Sequence, residues 1–228
     1  MLSRFSWAIV LFCFAFATPA LAQNIDTRPN SNGGTVGSFR PGPSAAFSSF
    51  GQTFEVPVGQ TGVQSFSIRT ANVPASLTFR GYLMPWDPAT TRAIGPVLYE
   101  SNDVNTTGAT AQDVTFTIPG SVPVTPGQTY VIFLSAVNST GPEAGNLWRT
   151  TSDVIPNGRV SVQATASPAD WTGQPWQQFP QTTDLAVTVN FTAAAAPVPT
   201  MSEWAMILLG TILAGGAALY IQRRRQFV

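Results

Sequence analysis

The chain has 228 residues, room for one ordinary domain plus appendages, and only 10% of them are charged, against roughly 25% in an average soluble protein. Eleven basic residues balance eleven acidic ones, and all the basic ones are Arg; there is no Lys and no His. That excludes His-dependent nucleophile systems, His metal sites, Schiff-base lysines and P-loop lysines. The one Cys, Cys13, lies in an N-terminal apolar stretch, so an exported chain is expected to hold no thiol and no disulfide.

In chain order, residues 1–22 read as a secretory signal. Arg4 supplies the positive start, Trp7 to Phe16 the apolar core, and Ala20-Leu21-Ala22 a small-residue cleavage site ahead of Gln23. A membrane anchor fits less well, because the run falls short of the ~20 residues a span needs and Pro19 breaks it. Residues 23–47, rich in Asn, Gly, Pro and Ser, read as a flexible leader with little to bury.

Residues 48–192 carry period-2 patterning. Ser49 to Val56 places apolar residues at most even positions, and Val63 to Ile68 is a shorter, less regular run. Leu77 to Leu83 alternates over its first half, and Val114 to Ile118 alternates throughout. Tyr130 to Leu134 is continuously apolar, as expected of a strand covered on both faces. Val160 to Val162 and Leu185 to Phe191 complete the set, with turns expected at Pro126-Gly127 and Asn157-Gly158. The expected fold is all-β: an antiparallel two-sheet sandwich, jelly-roll-like, of about eight to ten strands.

Residues 193–197 form a small-residue linker, followed by a polar and Pro-containing motif at 198–205. Ala205 to Ile221 is an apolar run, and the spacing predicts a transmembrane helix over about 204–222, with Trp204 and Tyr220 at the interfaces. Arg223, Arg224 and Arg225 then stay cytoplasmic by the positive-inside rule. A buried core helix suits this run poorly, since only a basic, polar stub follows it.

Val198-Pro199-Thr200-Met201-Ser202-Glu203-Trp204-Ala205 resembles the Ile-Pro-Thr-Leu-x-x-Trp-Gly signature of the IPTL-CTERM sorting domains, relatives of the PEP-CTERM signals handled by exosortases in Gram-negative bacteria. The chain departs from that signature at Val198, Met201 and Ala205, and keeps Pro199, Thr200, Trp204 and the Arg cluster in place. The resemblance implies a tag that docks in the inner membrane, is cut by an exosortase-like enzyme, and passes the ectodomain to the cell surface or extracellular matrix. Pieces such as Phe50 to Phe54, Phe79 to Tyr82 and Thr125 to Tyr130 resemble the β-sandwich ectodomains that precede PEP-CTERM-type signals, which generally carry no assigned activity.

Four site chemistries can be weighed. An acid pair for glycoside hydrolysis needs two carboxylates across a cleft, but Glu55, Asp87, Glu100, Asp103, Asp113, Glu143, Asp153, Asp170 and Asp184 are scattered. Calcium wants a converging run of oxygens; none exists, though Glu100, Asn102-Asp103 and Asp113 could meet at a loop end. No metal and no cofactor are expected. Nucleic acid is excluded, because the segment between the signal and Pro199 carries seven Arg against ten acids. Trp171, Trp176 and Phe179 lie in a Gln-rich segment and could form a platform for extracellular polysaccharide, the alternative function being a lectin-like surface module. The more ordinary arrangement is that Trp176 and Phe179 plug the end of the sandwich. The leading expectation is a non-enzymatic, exported, membrane-anchored envelope protein.

Overall fold

In the computed structural model the described residues are 23–32, 34–40, 47–72, 77–106, 108, 110–139, 144–164, 167–194 and 201–225. The expected signal peptide, 1–22, lies outside them. The described strands are β1 (Ile25–Asp26), β2 (Thr35–Phe39), β3 (Ser49–Glu55), β4 (Gln60–Asn72), β5 (Thr78–Asp87), β6 (Arg92–Ala93) and β7 (Tyr99–Glu100). They continue with β8 (Val104–Asn105), β9 (Gln112–Pro123), β10 (Thr129–Ser135), β11 (Gly145–Trp148), β12 (Arg159–Gln163), β13 (Gln177–Gln178) and β14 (Val187–Ala193). The helices are α1 (Asp170–Gly173) and α2 (Met201–Arg225).

Two antiparallel sheets form. One runs β1-β14-β4-β11-β2, with β9 on the other side of β4; the second runs β13-β12-β3-β10-β5, with β6, β7 and β8 each pairing β5. Between them lies the main core. It takes Phe50 and Phe54 from β3, Phe66 and Ile68 from β4, Ile132 and Leu134 from β10, and Val187, Val189 and Phe191 from β14. The turns form where Gly and Asn allow a positive φ: Gly127 at +75° behind Pro126, and Asn157 at +61° ahead of Gly158.

β10 is buried on both sides for a clear reason. Ile132 and Leu134 face the main core, while Val131 and Phe133 face a second core on the outside of their sheet. There they meet Tyr82, Met84 and Trp86 of β5, and Trp171 and Trp176 from the segment around α1. The result is a third layer laid over one sheet.

The leader does not stay free, which corrects the expectation for 23–47. Thr27 is fully buried, and its hydroxyl donates to the Leu185 carbonyl at 2.7 Å while accepting from the Val187 amide at 2.8 Å. β1 pairs β14 through Ile25↔Val189, and β2 pairs β11. Phe39 is inaccessible to solvent and packs edge-on against Phe50 and Phe79, with ring centroids 5.9 and 5.6 Å away. Asp26, Arg28, Asp113 and Arg69 then form a line of ion pairs across the outer face of the sheet. A polar, Gly- and Pro-rich composition hid two strands whose partners lie far away in sequence.

Residues 23–194 make one unit with both cores closed inside it, and α2 belongs to a separate one. The strand count exceeds the expected eight to ten because five of the described strands are only two residues long.

Candidate functional site

The expected sorting motif meets the described residues only in part. Val198, Pro199 and Thr200 lie outside them, and Met201 and Trp204 fall in the first turn of α2. From Ala205 to Arg225 the helix is long and apolar enough to cross a membrane. At 1.5 Å per residue those 21 residues extend roughly 31 Å, the thickness of a hydrocarbon core. Its large side chains, among them Ile207, Leu209, Ile212, Leu213, Leu219 and Tyr220, are exposed around the circumference. A helix apolar on every side cannot be satisfied against one sheet face; lipid suits it. Thr211 donates its hydroxyl back to the Leu208 carbonyl at 2.7 Å, so it carries no unmet donor into the apolar stretch. Arg223, Arg224 and Arg225 occupy the last turn, where positive charge also complements the helix dipole.

The second candidate, Trp171, Trp176 and Phe179, is not built as a platform. Trp171 and Trp176 are each 2% exposed. The Trp171 ring lies 4.7 Å from Tyr82 and 4.9 Å from Phe133, and its Nε1–H donates to the Ser49 hydroxyl at 3.1 Å. Trp176 sits 5.2 Å from Phe133 and 5.7 Å from Trp86, and its Nε1–H donates to the Trp171 carbonyl at 3.0 Å. A sugar needs open ring faces, and these are covered. Phe179 goes elsewhere, half-buried against the main core. The physical reason is economy of burial: the outward side chains of β5 and β10 are large and apolar, and the two indoles are what cover them.

Several of the scattered carboxylates are engaged too. Arg80 bridges Glu100 at 2.6 Å and Asp103 at 2.5 Å, and the Tyr82 hydroxyl donates to Glu100 at 3.2 Å. The hydrogen bond from Arg80 holds the Asp103 carboxyl below its usual range, while burial and the Glu100 charge push the Tyr82 phenol up. Asp113 instead faces Arg69 and Arg28, so it does not join Glu100 and Asp103 as a calcium site would require. Asp87 caps its own turn, accepting from the Thr90 hydroxyl and the Ala89 amide. Among the described residues no three His, Cys, Asp or Glu side chains converge in a way that could hold a metal.

One polar centre was not anticipated. Asp184 is fully buried and accepts from Gln52 Nε2 at 2.8 Å, the Val154 amide at 2.6 Å and the Ile155 amide at 2.9 Å. Gln52 in turn accepts from the Leu185 amide at 2.8 Å, and Thr150 bonds the Asp184 backbone. All the donors are internal, so this centre ties a loop to two sheets. Gln52, the one polar residue at an inward position of Ser49 to Val56, was its only trace in the sequence.

Comparison with known proteins identifies the tail. Residues 196–225 match the family model of the IPTL-CTERM motif. The likeness covers the C-terminal segment alone. With the apolar helix and the arginine cluster, it supports membrane anchoring in the envelope and targeting to the surface. No curated protein sequence matches the chain. Among solved structures it is similar to the cysteine protease and lectin-like domains of Cwp84, a surface layer associated protein of Clostridium difficile, at 8% identity and a TM-score of 0.43, over 64% of this chain and 32% of that one. The clostridial cysteine protease Cwp84 after propeptide cleavage gives 7% identity and a TM-score of 0.49, over 76% and 40%. The chain thus spans well under half the length of either.

Proposed function

We propose that this protein is a non-catalytic β-sandwich cargo, exported by residues 1–22 and held in the inner membrane by α2 until an exosortase-like enzyme cuts near Pro199-Thr200 and releases the ectodomain to the cell surface. The match of residues 196–225 to the IPTL-CTERM motif carries this reading. The helix supplies retention, the arginines supply orientation, and Pro199 supplies recognition: it fixes its own backbone and keeps Val198 extended, the form proteases bind. A non-catalytic ectodomain is supported by its chemistry, in which Glu100 and Asp103 are spent on an arginine, Asp87 on a turn amide and Asp184 on a buried structural centre.

The test compares ectodomain masses from wild-type and Pro199→Ala cells that possess the processing enzyme. Wild type should end near residue 199 and Pro199→Ala should keep Val228, with both reaching the membrane. Wild-type protein intact through Val228 in those cells would refute processing and leave a single-pass anchor.

A further inference from the structure

The sheet edges of this ectodomain are treated unequally. β1 and β13 have two residues each, β2 has five and meets a register shift at β11, and the free side of β5 is covered by β6, β7 and β8. Short, irregular or covered edges are how sheet proteins avoid pairing with other chains. β9 is the exception. It runs for twelve residues and, among the described residues, pairs with β4 alone.

Parity along β4 tells which backbone groups of β9 are free. The Arg69 amide donates to the Ala186 carbonyl on the β14 side, so the odd residues of β4 turn toward β14 and the even ones toward β9. Phe66 and Ile68 therefore exchange hydrogen bonds with Phe116 and Val114, their register partners. The amides and carbonyls of Asp113, Thr115 and Thr117 point away from the sheet, where the Tyr99 hydroxyl meets the Thr117 carbonyl at 3.4 Å. Gln112 to Ile118 is regular; the protective features, Pro119 and the positive φ of Gly120 and Ser121, come only after it.

We infer that β9 is a self-association edge, pairing antiparallel with β9 of a second copy about a twofold axis at Thr115. That register sets Thr115 opposite Thr115 and Asp113 opposite Thr117, and it pairs the outward amides of the regular stretch in both copies, the Thr117 carbonyl accepting through its second lone pair beside the Tyr99 hydroxyl. Shifting it toward the C-terminus would bring in Pro119, which has no amide to donate. No like charges oppose each other: the stretch has one charged residue, Asp113, already neutralised by Arg69 and Arg28 within its own copy. Cross-strand Thr–Thr pairs are favourable. Val114, Phe116 and Ile118 would continue the buried face from one sandwich to the next. The inference is independent of processing at the tail.

The test uses the cysteine-free ectodomain, residues 23–194, which closes its own cores. Sedimentation should show a monomer–dimer equilibrium. Thr115→Pro removes an amide that makes no bond within the copy, so it should leave the circular dichroism spectrum intact and weaken dimerisation about thirtyfold, one donor being lost from each side. Thr115→Lys, which opposes two like charges, is the second variant should proline perturb the strand. Hydrogen-bonded antiparallel partners stand about 5.5 Å apart at Cα, within disulfide reach, so Thr115→Cys should cross-link to itself on oxidation. Asp113→Cys should cross-link when mixed with Thr117→Cys, and neither alone. Val58→Cys, on a turn tip that is 91% exposed, is the collision control. A monomer at all concentrations, or Thr115→Cys cross-linking no better than Val58→Cys, overturns the proposal.

Discussion

Replacing Asp184 with Ala probes the one carboxylate, among the described residues, that the fold takes wholly out of water. Three donors lose their acceptor: Gln52 Nε2, the Val154 amide and the Ile155 amide. A buried donor left unsatisfied costs about 1–3 kcal/mol, and relief of a desolvated carboxylate offsets part of the sum. The expected net loss is about 3–4 kcal/mol, a large share of the 5–15 kcal/mol that typically holds a domain, and about 10 °C in Tm at this size. Asp184→Asn keeps an oxygen for the two amides but turns its NH₂ toward Gln52 Nε2, so about 1–2 kcal/mol should be lost. The pH dependence follows from burial, which raises the carboxyl above its ordinary value. The folded state then favours the protonated form, so its contribution is fully present below about pH 4 and is lost as pH rises through the raised value. Urea unfolding of residues 23–194 between pH 3.5 and 7 should show wild type losing ground to Asp184→Asn as pH rises. A cost below about 1 kcal/mol for Asp184→Ala, or a flat difference between wild type and Asp184→Asn, would refute this account.

Trp171→Ala should cost about 3–5 kcal/mol by opening the outer core, and Trp171→Phe less, since it keeps a ring and drops only the bond to Ser49; thermal melts and near-ultraviolet circular dichroism read both. Leu209→Arg should move the protein from membrane to soluble fractions, because an Arg at a helix centre costs about 2.5–3.5 kcal/mol on insertion scales. Gly81→Ala should destabilise by about 1–3 kcal/mol, measured by urea unfolding: a Cβ there would lie 2.6 Å from the Phe116 ring.

The alternation of Val114 to Ile118 and the unbroken Tyr130 to Leu134 were readable because each strand carries its own period, and burial follows that period residue by residue. The membrane helix was readable for the same reason, being local and uniform. Thr27 and Phe39 were not. Their structure depends on β14 and on Phe50 and Phe79, and a two-residue strand has no period to display. The indoles at Trp171 and Trp176 were ambiguous in another way, since an aromatic cluster reads alike whether it caps a core or faces a ligand. What decided it was the outward row Tyr82, Met84 and Trp86, which needed a cover. Asp184 and Gln52 are far apart in sequence, and each alone reads as an ordinary strand or turn residue.

The pairing of β14 has a mechanical consequence. The polypeptide that leads to the membrane helix leaves the sandwich from β14, a strand hydrogen-bonded on one side to β4 along most of its length and on the other to β1 at its start. A pull on the tail acts along that strand, so the β4 ladder is loaded in shear, with its bonds sharing the force together instead of opening one after another. Thr27 adds a cross-brace at the far end, gripping the Leu185 and Val187 backbone. An anchored protein tugged by flow or by neighbouring cells would thus be held through a strand paired with β4 over its whole length, and the residues that follow the expected signal cleavage site help to lock it.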